Sequence, residues 1–509
     1  MLRREVLKNL ALVGTTSLLT TVPFLGRANS GAVNHNAVNY KALFKKALRH
    51  NPELIGFANI ESNFSETKLK LEGKLPSELK GQFYRNGPGK HERGDIRYQH
   101  LFEGDGMLQH FHLDGNNVYH RGKFIETPKF KKEESAKQFL YSGPDTKIAN
   151  SLPVSSSNDV NTANTNVISV GNDLWALWEA GAPSKINPHN LQFEDQVNLG
   201  TGSKYGNSLK GLPFSAHPKI DPNGDIWNFG LNGSGHVVLY HLSAKGQTKN
   251  VKLINAQYKG TMLHDFLITD RSILLILPSL ISERSHNSGY FESIDFAPQM
   301  PMRVLVVNKS DLTLKREFEL PPGFAFHFGN AWEENDGTIH FDASLYPNIN
   351  ILHKMSRLMQ GDVKQEEVNG NTTLFTLHNN GKTSQHSFND ISEFPRVSNH
   401  KVGLKNHKLY HLSSAHDSLW SDAVVSLDVD SGKEDKFSYG SEFLVEEHVP
   451  VNPRAKEGHG YLIGTALHIP TQRTCLNVFD LANLKAGPRC RAWLPYHLPL
   501  GFHGNFVTS

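Results

Sequence analysis

The sequence predicts an all-β protein, a seven-bladed β-propeller whose loops and short helices form a cap over one face. Two observations carry this. From about residue 65 onward, short apolar runs of ~4–8 residues alternate with Gly, Asn, Asp and Pro turns, as in chains of short antiparallel strands. Helix-period segments are scarce in this stretch, and the strand pairs recur for most of the 509 residues, longer than a single sandwich. A propeller reaches such lengths by adding blades around a channel, and seven blades of ~60 residues would use most of the chain.

In chain order, MLRREVLKNLALVGTTSLLTTVPFLGRANSGA has a charged start, a modestly apolar middle and small residues before a cut after Ala28 or Ala32. That is the anatomy of a secretory signal. The RREVLK run and Arg27 near the cut fit the twin-arginine route, so residues 1–28 are read as a twin-arginine-type signal and the mature protein as exported and periplasmic. The apolar run is interrupted by Gly14, Thr15, Thr16, Thr20, Thr21 and Pro23 and is short for a membrane span of ~20 residues. Residues 29–64 form an N-terminal extension in which Asn39–His50 predicts a short amphipathic helix, with Leu43, Phe44, Ala47 and Leu48 on one face. The propeller occupies 65–509.

Within the propeller, PNGD (222–225) and NDG (335–337) are hairpin turns. Segments 283–302 and 349–385 are long and irregular, the mark of insertions that cover a face. LLILPSL (274–280) reads as a strand, although its continuous apolar character also suits a membrane-facing patch. Cys475 and Cys490 are too few for a zinc cluster; in an exported protein a cross-strand disulfide and two free buried thiols both fit them. Arg3, Arg4, Lys8 and Arg27 against Glu5 account for the whole formal charge of +3. The remainder is neutral, which argues against a nucleic-acid partner. No Cys nucleophile or Ser-His-Asp arrangement is recognisable, so nucleophilic hydrolysis has no candidate.

Histidines carry the chemistry. His327 stands among Phe324, Phe326 and Phe328 in PPGFAFHFGNAWEENDG; imidazole is a neutral nitrogen ligand near pH 7 and phenyl rings make a dry wall around it. Similar settings hold His217 (LPFSAHPKIDP), His264 (TMLHDFLIT) and His503 (LPLGFHGNF). Their separations of 47, 63 and 176 residues match one, one and three blades of ~60 residues, as one ligand per blade around an axis requires.

These stretches resemble the carotenoid cleavage oxygenases, a family that includes carotenoid, apocarotenoid and lignostilbene dioxygenases. The resemblance runs from Leu71 to Val507 through GQFYRNGPG (81–89), LFEGDGM (101–107), LWALWEAGAP (174–183), AHPKIDP (216–222), MLHDFLIT (262–269), HFGNAWEE (327–334), SEFPRV (392–397), FDLANLKAGP (479–488) and PLGFHG (499–504). It implies that His217, His264, His327 and His503 ligate one Fe(II), the catalytic metal. It implies carboxylates behind the ligands at Glu179, Glu393 and Glu447. At the last, Pro450 and Asn452 disturb the family's pattern, and Glu446 also suits the role. Gly104, Asp105 and Gly106, like Arg85 and Asn86, read as turn and closure residues.

The resemblance further implies oxidative cleavage of a C=C bond, with O2 as co-substrate and two carbonyl products. The substrate would be a small apolar conjugated molecule held in a tunnel lined by Phe324, Phe326, Phe328 and Phe502, with Trp332 near. A carotenoid or apocarotenoid substrate would also suit peripheral contact with a membrane. A hydroxystilbene would need polar contacts, for which lignostilbene-type members use a tyrosine and a lysine. Tyr98 and Lys129, Lys131 or Lys132 lie in that region, where the lysines read more simply as exposed. The contrasting class is a non-catalytic envelope propeller that binds a hydrophobic ligand. Deleting 501–509 is expected to remove the metal and spare most of the fold.

Overall fold

Seven four- or five-stranded sheets surround a common axis in the computed structural model, which describes residues 38–508 except 233–234, 259, 283–288, 365–367, 417 and 453–455. The signal-like segment 1–28 lies outside the described residues. Blades 2 to 6 follow one another along the chain, with their innermost strands at Asn166–Val170, Lys219–Ile220, Leu267–Ile268, Phe324–Ala325 with Ala331–Glu333, and Glu393–Arg396.

The ring closes twice. Blade 7 (443–493) takes the early strand Lys70–Gly73 as its outermost member. Blade 1 takes the C-terminal strand Gly504–Thr508 as its innermost, paired with Lys80–Lys90 from Gly81↔Thr508 to Arg85↔Gly504. Deletion of 501–509 would therefore strip the inner strand of blade 1 and undo one closure, so the expectation that truncation spares the fold does not hold.

The core lies between blades. In Met302–Asn308, Leu305 and Val307 pack toward blade 3, whereas Val304 and Val306 pack toward blade 5, the two-residue alternation of a strand buried on both faces. Ser272–Leu277 behaves likewise: Ile273, Leu275 and Leu277 face one way, Leu274 and Ile276 the other. LLILPSL is thus a central strand, and its unbroken apolar run reflects two covered faces. Truncating one such side chain to Ala costs ~2–5 kcal/mol. Among the described residues, no helix is long and apolar enough to cross a membrane.

The cap is a separate apolar cluster over one face. It joins helix Tyr40–His50, the turn Pro52–Phe57, Phe291 and helix Asn350–Met359. The first helix starts where the sequence places it, with the Asn39 side chain accepting from Ala42 N at 2.9 Å, an N-cap that satisfies an end donor. Buried Arg97 pins the cap to blade 1: it donates to Met359 O and Phe57 O and sits over the Phe44 ring. Both long insertions contribute to this cover. Cys475 and Cys490 are buried free thiols on adjacent strands; Cys475 pairs with Trp493 and Cys490 with Val478, a register that never sets the two sulfurs opposite each other.

Candidate metal centre

Each blade sends one residue to the axis beneath the cap. His503 immediately precedes the innermost strand of blade 1, His217 and His264 stand two and three residues ahead of those of blades 3 and 4, and His327 sits between the two inner segments of blade 5. Glu179 follows the strand Asp173–Leu177 of blade 2, Glu393 opens the inner strand of blade 6, and Glu447 lies on the inner strand of blade 7. The four histidines are buried, and their candidate ligand atoms lie within 4.8 Å of one another.

Their orientations are set by carboxylates. His503 Nδ1 is 2.9 Å from Glu447 Oε1, and His327 Nδ1 is 2.5 Å from Glu393 Oε2. One oxygen of Glu179 lies 3.5 Å from His217 Nδ1 and 3.2 Å from His264 Nδ1, shared between two rings without a well-aligned hydrogen bond to either. A carboxylate behind a ring fixes its tautomer and raises its basicity as a ligand. With Nδ1–H turned outward, the Nε2 lone pairs point inward. Nε2 of His217 and His503 are 3.0 Å apart, and Nε2 of His327 is buried with no partner among the described residues. Inward lone pairs at this separation repel one another, and a cation among them removes the conflict. The donor set therefore fits a metal.

Electrostatics favours neutral rings at His217 and His503. Burial, reinforced by the neighbouring His264, holds His217 well below the usual histidine range; burial brings His503 down to about 4. Burial also opposes charge on His327, but the charge and hydrogen bond of Glu393 outweigh it and raise that ring. Desolvation would raise Glu179, yet the adjacent His264 and His217 lower it to about 2.

The choice between Glu446 and Glu447 resolves through a β-bulge. The register slips between Val445↔Ala466 and His448↔Gly464, so two consecutive residues face Thr465 and both become buried. Glu447 turns to His503 and also grips Arg396 with both oxygens, at 2.8 and 3.0 Å. Glu446 turns away, pairs with Arg85, and accepts from Thr465 and Gly501 N at 2.5 Å each. Only glycine suits position 501, where a Cβ would lie 2.3 Å from Arg85 Nε. Asn86 serves closure and site together: its backbone bonds Phe502 N and His503 O at 2.9 Å each, which fixes the peptide that carries the ligand.

A cavity of about 520 Å³ reaches His264, His327 and His503 from the cap. Phe326 and Phe502 line it; Phe324 and Phe328 do not. Phe324 packs behind Phe326 in the cap cluster, and Phe328 faces the core between blades 4 and 5. The three stand at alternate positions, which a regular strand would turn to one side; the strand ends at Ala325, and the irregular backbone over 326–330 parts them. Trp332 is also outside the lining, stacked on His340. Among the lining rings that the sequence did not single out, two stand close to the histidines. Phe102 meets Phe326 and Phe502 edge-on at 6.0 and 5.4 Å, and Phe394 stacks on His327 at 4.8 Å. Each adjoins a motif residue, in LFEGDGM and SEFPRV, and that adjacency was the available signal.

Lys129 is not exposed. It lines the cavity with Tyr98 and its Nζ contacts Tyr98 Oη at 2.9 Å, Asp105 Oδ1 at 2.8 Å and Glu133 Oε2 at 2.7 Å. Asp105, read from sequence as part of a turn, is thus a buried anion that also pairs with Arg93.

Comparison with known proteins agrees with this architecture. A family model described as retinal pigment epithelial membrane protein (RPE65) matches residues 57–508. The apocarotenoid-15,15'-oxygenase of Synechocystis is 29% identical over 474 residues, covering 86% of this chain and 92% of the relative. The lignostilbene-alpha,beta-dioxygenase isozyme III of Sphingomonas paucimobilis is 26% identical, covering 87% of this chain and 94% of the relative. The crystal structure of a cobalt-substituted Synechocystis ACO superposes with a TM-score of 0.80 at 25% identity, covering 90% of this chain and 98% of that one.

Proposed function

The chain belongs to the retinal pigment epithelial membrane protein (RPE65) family, and we propose that it is an Fe(II)-dependent dioxygenase that cleaves a C=C bond of a carotenoid or apocarotenoid. The observation that carries this reading is the ring of four inward-facing histidines, backed by three carboxylates, at the end of an aromatic cavity. Nitrogen donors of this kind also accept zinc or copper, so iron is assigned from the family. When bound, Fe(II) supplies the one-electron chemistry that lets O2 react with a closed-shell alkene.

The residues supply position and environment. His217, His264, His327 and His503 hold the metal, and Glu179, Glu393 and Glu447 orient the rings and raise their basicity as ligands. Phe102, Phe326, Phe394 and Phe502 exclude water around the histidines and hold a flat conjugated chain against them, which is the contribution of a positioning cavity. In the overall reaction one alkene and one O2 give two carbonyl compounds, so no further reductant is needed.

The Tyr98–Lys129 pair in the cavity wall favours a second reading, cleavage of a hydroxystilbene whose phenol would bond to the two. Export is part of the same proposal: Arg3, Arg4 and the segment to Ala28 support a twin-arginine route, and a folded, metal-loaded protein is the cargo that route suits. O2 uptake by the iron-loaded protein with an apocarotenal and with a hydroxystilbene tests the function. Uptake with one aldehyde pair per O2 is expected, and the responding probe selects the branch. No metal held even after anaerobic loading with Fe(II) would favour a ligand-binding propeller.

A further inference from the structure

Helix Asn350–Met359 turns Ile351, Lys354, Met355 and Leu358 toward the cavity, the i, i+3, i+4, i+7 spacing of one helical face. Three are apolar, and Lys354 interrupts them at the centre. A residue that breaks its local pattern without a compensating contact marks function.

Among the described residues, the compensating contact is missing. Of the carboxylates that line the cavity, Glu103 accepts from the N–H groups of Gln99, His100, Asp145 and Thr146 and from the Thr146 hydroxyl. Glu179 and Glu393 face the histidines. Lys129 is enclosed by Asp105 and Glu133. Among the described residues, no carboxylate lies within ion-pair distance of Lys354; burial and the charge of Arg357, one turn on, both depress its pKa. An ammonium without a counter-ion beside apolar side chains is unfavourable, and a bound anion relieves that cost.

We infer that Lys354 reads the end of the substrate, its ammonium pairing with the carboxylate of a linear polyene whose chain lies along the aromatic cavity. This rests on the polyene-cleavage reading and narrows it to carboxylate-terminated substrates. An end fixed at Lys354 sets how far along the chain the double bond at the histidines lies, so Lys354 governs which bond is presented.

Equilibrium binding to the full protein under anaerobic conditions, where no cleavage occurs, tests this. The probes are a polyene carboxylic acid and the methyl-terminated polyene of equal length, read by quenching of Trp178 and Trp420, which line the cavity. The acid is expected to bind about tenfold or more tightly, a difference of ~1.4 kcal/mol. Lys354→Met is expected to erase the difference by weakening the acid alone, and Lys354→Arg to restore most of it. Equal binding by the wild type, a preference that survives Lys354→Met, or equal weakening of both probes overturns the assignment. Binding of neither probe overturns it together with the polyene reading.

Discussion

His217 and His503 are 286 residues apart in the chain, yet their Nε2 atoms meet at 3.0 Å. The two rings come from blades 3 and 1, and each turns its Nδ1 toward a carboxylate, Glu179 or Glu447. The fold spends buried positions on holding two lone pairs face to face, an arrangement that is stable around a cation.

Replacing Glu447 with Gln removes the anion behind His503 and unbalances Arg396. Metal affinity is expected to fall ~10–100-fold, measured by competition with a chelator. Glu446→Gln instead breaks the buried pair with Arg85, costing ~3–5 kcal/mol of stability in denaturant unfolding while leaving affinity near wild type. The reverse pattern would exchange the roles of the two glutamates.

Asp145 links the cap to its base, accepting from Phe291 N at 3.0 Å with Ser356 Oγ at 3.4 Å. Burial, with the charge of Glu103 behind it, pushes this carboxyl up to about 7, above its ordinary ~4. A folded pKa above the unfolded one gives stability that is complete below the unfolded pKa and is lost as pH rises through the folded pKa. Asp145→Asn is therefore expected to raise Tm relative to wild type at pH 8 by more than at pH 5, a gain on the order of 1–2 kcal/mol. A pH-independent difference would contradict this.

Tyr98→Phe separates the substrate branches at little structural cost, since it removes only the hydroxyl beside Lys129. If the substrate is a carotenoid or apocarotenoid, kcat/KM for the apocarotenal should stay within about threefold, under ~1 kcal/mol. Loss of more than about tenfold with a hydroxystilbene alone would place the phenol at this pair.

Burial pushes the Cys475 thiol up to about 12 and the Cys490 thiol to about 11, so neither should react with a thiol reagent in the native protein. Two thiols per chain should titrate in denaturant without reductant. None would mean a disulfide, against the strand register.

The histidine spacing was legible in the sequence because a propeller repeats its inner strand at a nearly fixed interval. Blades 3, 4, 5 and then 1 follow from gaps of one, one and three repeats. The helix at 40–50 was legible from its periodicity: Phe44, Ala47 and Leu48 pack into the cap, although Leu43, read on the same face, is exposed. The burial of Lys129 was not, because Tyr98 and Asp105 come from other segments and only Glu133 shares its helix, and a lysine on a short helix reads as solvated. The split between Phe326, which lines the cavity, and Phe324 and Phe328, which do not, depends on backbone direction at one loop. The roles of Glu446 and Glu447 depend on a single bulge. Such one-residue geometry leaves no trace in composition or period.

The most direct measurement is the metal content of the purified protein after anaerobic loading with Fe(II) and removal of excess, compared with His217→Ala and His503→Ala proteins of the same fold. About one iron per wild-type chain and almost none in either variant is the expected result. Iron retained in full by both variants, or no metal held by the wild type, would contradict the four-histidine centre.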